Sequence, residues 1–319
     1  MLEFDLVARI RQRAGSREDV ILGIGDDCAL LSPPPGMQLA VTTDTLNRGV
    51  HFPAETASFD IGWKALAVNL SDLAAMGARP AWCTLSLSLS LPEATPGFVD
   101  GFLDGFLSLA QRHEVALVGG DTTRGPLSIG VTACGFIEPG MALRRDGTTV
   151  GDEVWVSGTL GDAAGALAQW HAKTGIEASL RERLDRPQPR VTLGRALRGI
   201  ATACIDVSDG LLADLGHICK ASGVAALLEV DALPASTSLR AAADLEKRRI
   251  LQATGGDDYE LCFTAPARAR AEVLAAAQAC ATQVTRIGCI RAGNGVDAVC
   301  AQGRPWRPQN AGYEHFGLG

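Results

Sequence analysis

Aromatic residues and lysines are scarce in this chain of 319 residues, and two familiar catalytic signatures are missing. Aromatic residues make up 5% of the sequence. Lysine occupies four positions, none of them in a glycine-rich turn: Lys64, Lys173, Lys220 and Lys247. The absence of a GxxxxGKS/T motif excludes a P-loop, and the absence of a GxSxG motif removes support for serine catalysis at a nucleophile elbow.

The cysteine pattern and the lack of long apolar runs indicate in which cellular compartment the protein resides. None of the nine cysteines forms a CxxC pair, and most lie in apolar runs, so we predict reduced thiols and no zinc site. The first five residues lack the basic start and apolar core of a signal peptide, and no apolar run nears the ~20 residues of a membrane span. These features predict a soluble cytoplasmic protein that contacts no membrane.

Charge and length limit the class of protein further. The net charge of −7 at pH 7 predicts that the chain does not bind nucleic acid. The length predicts two domains. Turn and linker signals place a boundary within 139–151, so we predict an N-terminal domain over 1–138 and a C-terminal α/β domain over 152–319. Both halves mix strands with helices, which indicates an α/β fold with mixed sheets of the α+β kind.

Local patterns predict several elements. Leucines at every second position of 84–91 indicate a half-buried strand. Thr95 followed by Pro96 opens a helix, because threonine caps a helix N-terminus and proline fits its first turn. A strand over 115–118 is expected to deliver the next glycine-rich turn, and Ser208 is expected to cap a further helix.

Acidic residues recur in turns rich in glycine or hydroxyl groups. Six such places occur: Gly25-Asp26-Asp27, Thr42-Thr43-Asp44, Asp72, Gly119-Gly120-Asp121, Asp206-Val207-Ser208-Asp209-Gly210 and Gly255-Gly256-Asp257-Asp258. One such turn is more often structural, since Asp-Gly and Gly-Asp are common turn formers. Six together, several at strand ends, predict a site for several Mg²⁺ ions, because hard cations relieve the repulsion between gathered carboxylates and bridge to phosphate oxygens.

Asp72 and two arginines add to this interpretation. Asp72 lies in a strongly apolar predicted helix over 58–75, three residues after Asn69 and on the same face. An uncompensated charge would be expensive there. Because no P-loop lysine is available, Mg²⁺ and arginine must neutralise a bound nucleotide, and Arg124 and Arg145 are the candidates.

Taken in order, these motifs resemble the series found in the thiamine-monophosphate kinase family. Order and spacing match from about residue 3 to Phe316, and each motif is weak by itself. The stretches that carry the resemblance are Gly23–Ala29, Thr42–Leu46, Asn69–Ala78, Gly119–Thr123, Ile205–Leu211 and Gly255–Leu261.

The resemblance implies a fold and an activity. The fold would be the two-domain fold of the aminoimidazole ribonucleotide synthetase superfamily, in a homodimer formed largely through N-terminal domains that also bind ATP and Mg²⁺. The activity would be phosphorylation of thiamine monophosphate to thiamine diphosphate, with ATP as co-substrate and several Mg²⁺ ions. The γ-phosphoryl group would pass directly in line, without a phosphoenzyme.

The resemblance also implies roles for individual residues. The Mg²⁺ ligands would be Asp27, Thr42, Thr43, Asp44, Asp72, Asp121, Asp206 and Asp209, with Asp26 beside them. The ATP contacts would be Gly120, Asp121, Arg145 and Ser208. The thiamine phosphate contacts would be His51, Asp257 (a glutamate in many relatives) and Tyr313. Either Phe102 or Phe106 would line the adenosine site.

Two alternatives stay open on the sequence. One is another enzyme of the superfamily, such as selenophosphate synthetase, which should carry a reactive Cys or selenocysteine in an N-terminal glycine-rich loop, or the hydrogenase maturation factor, which should end in a cysteine-bearing tail. The chain shows neither feature and ends Phe316-Gly317-Leu318-Gly319. The other is a catalytically silent metal-binding or nucleotide-binding protein, against which the retained acidic positions speak.

Overall fold

A computed structural model describes residues 3–308 and Gly312. The chain divides into two compact units. The N-terminal unit comprises Met1–Leu73 and Ala78–Gly140, and the C-terminal unit comprises Ala74–Gly77 and Met141–Gly319. Each unit combines a sheet with helices, which confirms the predicted α/β class with mixed sheets.

The N-terminal unit is built from three helices and six strands among its described residues. In chain order they are α1 Glu3–Arg13, β1 Val20–Leu22, β2 Leu30–Leu31, β3 Gln38–Asn47, α2 Ser58–Ala75, β4 Arg79–Leu89, α3 Pro96–Arg112, β5 Ala116–Arg124 and β6 Ser128–Ile137. The main sheet has the order β3-β6-β4-β5, in which only β4 and β5 run parallel. Strands β1 and β2 form a separate small antiparallel pair that the sequence patterns missed.

Two glycine-bearing helices fix the core of this unit. An added methyl group on Gly62 of α2 would overlap the backbone oxygen of Phe102 in α3, and one on Gly105 of α3 would overlap that of Phe59. Glycine therefore allows the two helix backbones to approach closely. Phe102 and Phe106 are fully buried and stacked, with ring centroids 5.9 Å apart. Both rings thus belong to the core.

The local predictions in this unit held where the pattern was strong. Leu85, Leu87 and Leu89 are buried in β4 as the alternation predicted, although Leu91 lies beyond the strand and is 65% exposed. Thr95 caps α3, and its hydroxyl oxygen accepts a hydrogen bond from the Phe98 amide at 3.3 Å. The helix over 58–75 is confirmed as α2.

The C-terminal unit is larger and wraps seven helices around one sheet among its described residues. In chain order its elements are β7 Asp152–Ser157, α4 Asp162–Ala172, α5 Ala178–Asp185, α6 Val191–Ala196, β8 Ala203–Asp206, α7 Leu211–Ser222, β9 Ala225–Glu229, α8 Thr237–Ala242, α9 Leu245–Thr254, β10 Leu261–Pro266, α10 Arg270–Ala279, β11 Val284–Arg291, β12 Gly295–Val299 and β13 Pro305–Trp306. The strand order is β13-β12-β9-β11-β7-β10-β8, and only β9 and β12 pair in parallel. Apolar residues of α7 and of the strands form one buried cluster, and residues of α4, α5 and α8 form a second.

Two features of this unit differ from the sequence expectations. Helices α5, α8 and α9 were missed, because their short sequences carry mixed polar patterns. Ser208 does not cap α7: the cap is Gly210, and no side chain caps the helix. Gly223 does end α7 in the left-handed conformation expected of a C-terminal glycine. In the part of the chain that the structure describes, no helix is both long and apolar enough to cross a membrane.

Candidate functional site

Strand β3 and helix α2 bring three oxygen-bearing side chains together. Alternate residues of a strand share a face, so Thr42 and Asp44 lie on the same side of β3. The Thr42 hydroxyl donates a hydrogen bond to the Asp72 carboxylate from α2. Burial, the charge of Asp72 and a hydrogen bond with Asp72 together raise the pKa of Asp44 to about 6. The structure thus joins Thr42, Asp44 and Asp72, three of the predicted ligands.

The chemistry of this cluster suits a hard cation. Burial raises the pKa of Asp44 most, and repulsion from the Asp72 carboxylate raises it further, because two carboxylates held together repel each other when both are ionised. All three side chains offer oxygen, the ligand atom that Mg²⁺ prefers. One turn earlier on α2, Asn69 is fully buried and its Oδ1 has no hydrogen-bond partner among the described residues. The donor set and this unsatisfied acceptor fit a polar ligand such as a hydrated cation.

Thr43 lies apart from this cluster. Its neighbours on β3 point to one face of the sheet and Thr43 points to the other. Its hydroxyl donates to the Val131 carbonyl at 3.1 Å and accepts from the Thr132 hydroxyl at 3.1 Å. The structure therefore does not bring the Thr43 side chain to Thr42, Asp44 and Asp72.

The remaining predicted ligands of the N-terminal unit lie on the surface. Asp26 and Asp27 are exposed in a turn, where the Asp27 amide donates to Asp26 Oδ1 at 2.9 Å. Asp121 is exposed within β5. Across residues 3–308 and Gly312, no three His, Cys, Asp or Glu side chains are placed to hold a metal ion together. A cage of many carboxylates is therefore not assembled by the described residues.

The Gly119-Gly120-Asp121 motif is part of a strand, contrary to the prediction of a turn after 115–118. Gly120 pairs with Leu85, and Asp121 with Ser86, across β5 and β4. Gly120 has a φ of +151°, and an added methyl group would overlap the Leu85 backbone. Only glycine fits at this position, so Asp121 follows a backbone that other residues could not adopt.

His51 sits in a turn whose hydrogen bonds fix its tautomer. The Asn47 amide donates to His51 Nδ1 at 3.0 Å, so the neutral ring carries its proton on Nε2. Lys64 of α2, 1% exposed, donates from Nζ to the His51 carbonyl at 3.0 Å. The sequence reasoning missed Lys64, although a lysine inside a strongly apolar helix was a signal that it serves a buried acceptor.

In the C-terminal unit, the loop over 206–210 is organised by an aspartate that the sequence reasoning missed. Asp214 Oδ2 accepts the amides of Ser208, Asp209 and Gly210 at 3.1, 3.2 and 3.1 Å. Burial and the charge of Asp209 raise the pKa of Asp214 to about 7, against the lowering effect of these amides. The sequence feature that could have indicated this role is an acidic residue in the first turn of a helix, where it faces unpaired amides.

A second loop, over 255–260, pairs with the first. The Asp257 amide donates to the Ser208 carbonyl at 2.9 Å. Gly256 lies so close that an added methyl group would overlap the Ser208 carbonyl oxygen. The structure therefore brings Asp257, Ser208 and Asp209 into one region of this unit, while Asp206 is 4% exposed at the end of β8.

The last two predicted site residues are Arg145 and Tyr313. Arg145 is exposed, and its carbonyl accepts a hydrogen bond from the Ser222 hydroxyl at 2.9 Å. Tyr313 lies outside the described residues. Its neighbour Gly312 is described, and an added methyl group there would stand 2.9 Å from the Asp209 carbonyl oxygen.

Comparison with known proteins shows the family to which the chain belongs. The family described as "AIR synthase related protein, N-terminal domain" matches residues 25–137, and "AIR synthase related protein, C-terminal domain" matches residues 149–301. The chain is thus an AIR synthase-related protein. Thiamine-monophosphate kinase of Salmonella typhimurium is 45% identical over 321 residues, which cover 98% of each chain.

Comparison with solved structures indicates the same family. Thiamine-monophosphate kinase from Stenotrophomonas maltophilia has a TM-score of 0.87 and 56% identity, covering 95% of this chain and 98% of its own. AaThiL, complexed with AMPPCP and TMP, has a TM-score of 0.75 and 30% identity over 95% and 94% of the two chains. Hydrogenase maturation protein HypE from E. coli shares the fold alone, at 22% identity. The chain belongs to the thiamine-monophosphate kinase family.

Proposed function

We propose that the chain catalyses ATP-dependent phosphorylation of thiamine monophosphate to thiamine diphosphate. The observation that carries this proposal is the 45% identity to a thiamine-monophosphate kinase across 98% of both chains. The reaction class is a phosphotransferase with a phosphate group as acceptor. The AaThiL complex with AMPPCP, an ATP analogue, and TMP supports the same pair of reactants.

The acceptor decides which catalytic groups the chain needs. A phosphate acceptor is already ionised at neutral pH, so no strong general base is required. The obstacle is the repulsion between two anionic reactants, which favours positioning and charge neutralisation over covalent catalysis. This agrees with a site built of carboxylates and hydroxyls, and with the absence of a nucleophile–base pair among the predicted site residues.

The cluster of Thr42, Asp44 and Asp72 is the proposed Mg²⁺-binding centre. When bound, Mg²⁺ supplies charge neutralisation for phosphate oxygens at the reacting end of ATP. The raised pKa of Asp44 supports the assignment, because a nearby cation would stabilise the ionised carboxylate. The further proposed ligands, from the family resemblance, are Asp27, Asp121, Asp206 and Asp209. Thr43 is left out, because its side chain points away from Thr42 and Asp44.

The nucleotide is proposed to contact Gly120, Asp121, Arg145 and Ser208. Gly120 exposes its backbone at a left-handed position in β5, and Ser208 lies in the loop that Asp214 organises. Arg145 is an exposed cation. Together these groups offer backbone amides, a hydroxyl and a positive charge, which are groups that bind phosphates.

The thiamine phosphate is proposed to contact His51, Asp257 and Tyr313. The Asn47 amide donates to His51 Nδ1, which fixes the orientation of the ring in its turn. Asp257 accepts hydrogen bonds, so it suits an amino group better than a phosphate.

A coupled assay tests the proposed reaction. Purified protein is incubated with ATP and Mg²⁺ and with thiamine monophosphate, thiamine or an aminoimidazole ribonucleotide precursor, and products are identified by ³¹P NMR. We expect ADP and thiamine diphosphate to form in equal amounts with thiamine monophosphate only. Turnover with the aminoimidazole precursor but not with thiamine monophosphate would contradict the proposal.

A homodimer formed through the N-terminal unit is part of the proposal. Strand β3 is an edge strand, and its outer face presents Leu39 and Val41, which are 48% and 59% exposed. An apolar edge of this kind favours pairing with a second chain. In sedimentation velocity we expect a dimer for the wild type and for Ile250→Glu, which alters an exposed residue of the other unit, and a monomer for Val41→Glu. A monomeric wild type would rule the dimer out.

The proposed compartment is the cytoplasm. All nine cysteines lie among the described residues and are free thiols, of which Cys83, Cys204, Cys219 and Cys262 are buried. Free thiols in this number are typical of a reducing compartment. Fractionation of cells that express a tagged chain should recover the protein with cytosolic markers.

A further inference from the structure

The loop over 255–260 is held rigidly against the loop over 206–210. Besides the bond between the Asp257 amide and Ser208, the Tyr259 amide donates to the Val207 carbonyl at 2.8 Å. In return the Val207 amide donates to the Glu260 carbonyl at 2.8 Å. These three backbone bonds fix the path of the chain on both sides of Asp257.

The backbone in this loop adopts a conformation that side chains rarely allow. Asp257 has a φ of +66° and Tyr259 a φ of +49°, both in the left-handed region. For an aromatic residue this conformation is a genuine outlier, of the kind that clusters at functional sites. Asp258, between them, turns inward, where its carboxyl group accepts the Gly161 amide at 2.8 and 3.0 Å.

This conformation sets Tyr259 and Asp257 side by side. The Tyr259 ring is 8% exposed, and its hydroxyl group donates to Asp257 Oδ1 at 3.1 Å. A buried ring has little rotational freedom, so its hydroxyl group is a fixed donor. The Tyr259 hydroxyl group thereby holds the short carboxylate of Asp257 in place.

We propose that Tyr259 is a positioning residue that aims the Asp257 carboxylate at the amino-bearing, cationic part of thiamine monophosphate. This inference rests on the proposed function. A carboxylate repels a phosphate group, whereas thiamine carries an aminopyrimidine and a positively charged thiazolium ring, both of which attract it. Tyr259 therefore affects recognition of thiamine monophosphate and leaves phosphoryl transfer and ATP binding alone.

The substitution Tyr259→Phe tests this directly, because it removes only the hydroxyl group. We expect KM for thiamine monophosphate to rise about tenfold or more, the loss expected for one hydrogen bond to a charged group, with kcat and KM for ATP unchanged. The matched control is Thr148→Val, which removes a hydroxyl donor to Asp152 at the same distance of 3.1 Å elsewhere in this unit. The control should leave all three parameters unchanged, and thermal melting should show both variants folded.

A double-mutant cycle separates positioning from a general structural effect. Asp257→Gly removes the acceptor with a residue that adopts a φ of +66° without strain. In that background Tyr259→Phe should raise KM no further. An unchanged KM in the single variant, an equal rise in KM for ATP, or an undiminished effect in the Asp257→Gly background would each overturn the proposal. An inactive wild type would overturn the proposed function as well, whereas an active wild type with an unaffected Tyr259→Phe overturns this inference alone.

Discussion

Asp258 and Glu260 are both buried in the same loop, yet removal of the negative charge should affect the stability of the fold very differently at the two positions. Burial raises the pKa of Asp258 well above its usual value. Burial would do the same for Glu260, but the hydrogen bonds and charges of Arg190 and Arg183 outweigh it and hold the pKa of Glu260 below its usual value. Asp258→Asn and Glu260→Gln are therefore a matched pair of amide substitutions.

The expected magnitudes follow from the contacts of each carboxyl group. Glu260 Oε2 accepts Ser157 Oγ at 2.5 Å and Arg190 Nε at 2.6 Å, and Oε1 accepts Arg190 Nη2 at 2.5 Å and Arg183 Nη2 at 2.7 Å. Glutamine turns one oxygen into a donor that faces donors, and it leaves two arginines without their anion. We expect Glu260→Gln to lower the free energy of unfolding by about 3 kcal/mol. Asp258→Asn keeps an acceptor for Gly161 and should change it by less than about 1 kcal/mol.

The pH dependence has opposite signs for the two groups. Because the folded pKa of Glu260 is lowered, its contribution is present above its usual value of 4.5 and is lost as pH falls through the folded pKa. Because the folded pKa of Asp258 is raised, its contribution is present below its usual value of 3.8 and is lost as pH rises through the folded pKa. The stability of Asp258→Asn relative to the wild type should therefore increase as the pH rises.

Thermal melting followed by tryptophan fluorescence measures both effects. Trp155, 4% exposed, reports on the core of this unit through its stacking with Phe263. A loss of about 3 kcal/mol should lower the melting temperature of Glu260→Gln by roughly 6–12 °C, with little change for Asp258→Asn. Equal losses in the two variants, or a larger loss for Asp258→Asn, would refute the argument that arginine pairing lowers the pKa of Glu260 while burial raises the pKa of Asp258.

Three further predictions concern the proposed site. Asp44→Asn should reduce turnover about a hundredfold or more and abolish stabilisation by Mg²⁺ in a melting assay, and wild-type turnover would refute the metal role. Because the folded pKa of Asp44 is raised to about 6, the carboxyl group ionises above that pH at a cost in folding stability. Without metal, the variant should therefore be at least as stable as the wild type at pH 7. His51→Ala should raise KM for thiamine monophosphate, and a rise confined to KM for ATP would reverse that assignment. Gly256→Ala should lower the melting temperature by overlap with Ser208, whereas Gly216→Ala, with open space around it in α7, should raise it; equal shifts would contradict the packing argument.

Several features could be predicted from sequence because their causes are local. Alternating leucines defined β4, and Thr95 with Pro96 defined the start of α3, since both depend on residues a few positions apart. The acidic motifs were found for the same reason. The prediction that Ser208 caps α7 was wrong. The amides after β8 donate instead to Asp214, whose side chain comes from the following helix.

The arrangement of the site was decided by the tertiary structure. The sequence alone located the acidic, hydroxyl and glycine motifs, and its mixture of strand and helix patterns sufficed for the fold class. It did not separate Thr43 from Thr42 and Asp44, nor place Arg183 and Arg190, 77 and 70 residues away, on Glu260. Hydrogen bonds and charges act over a few ångströms in space, so which distant residues meet depends on how strands and helices pack, and packing also decides which buried carboxyl group keeps its charge.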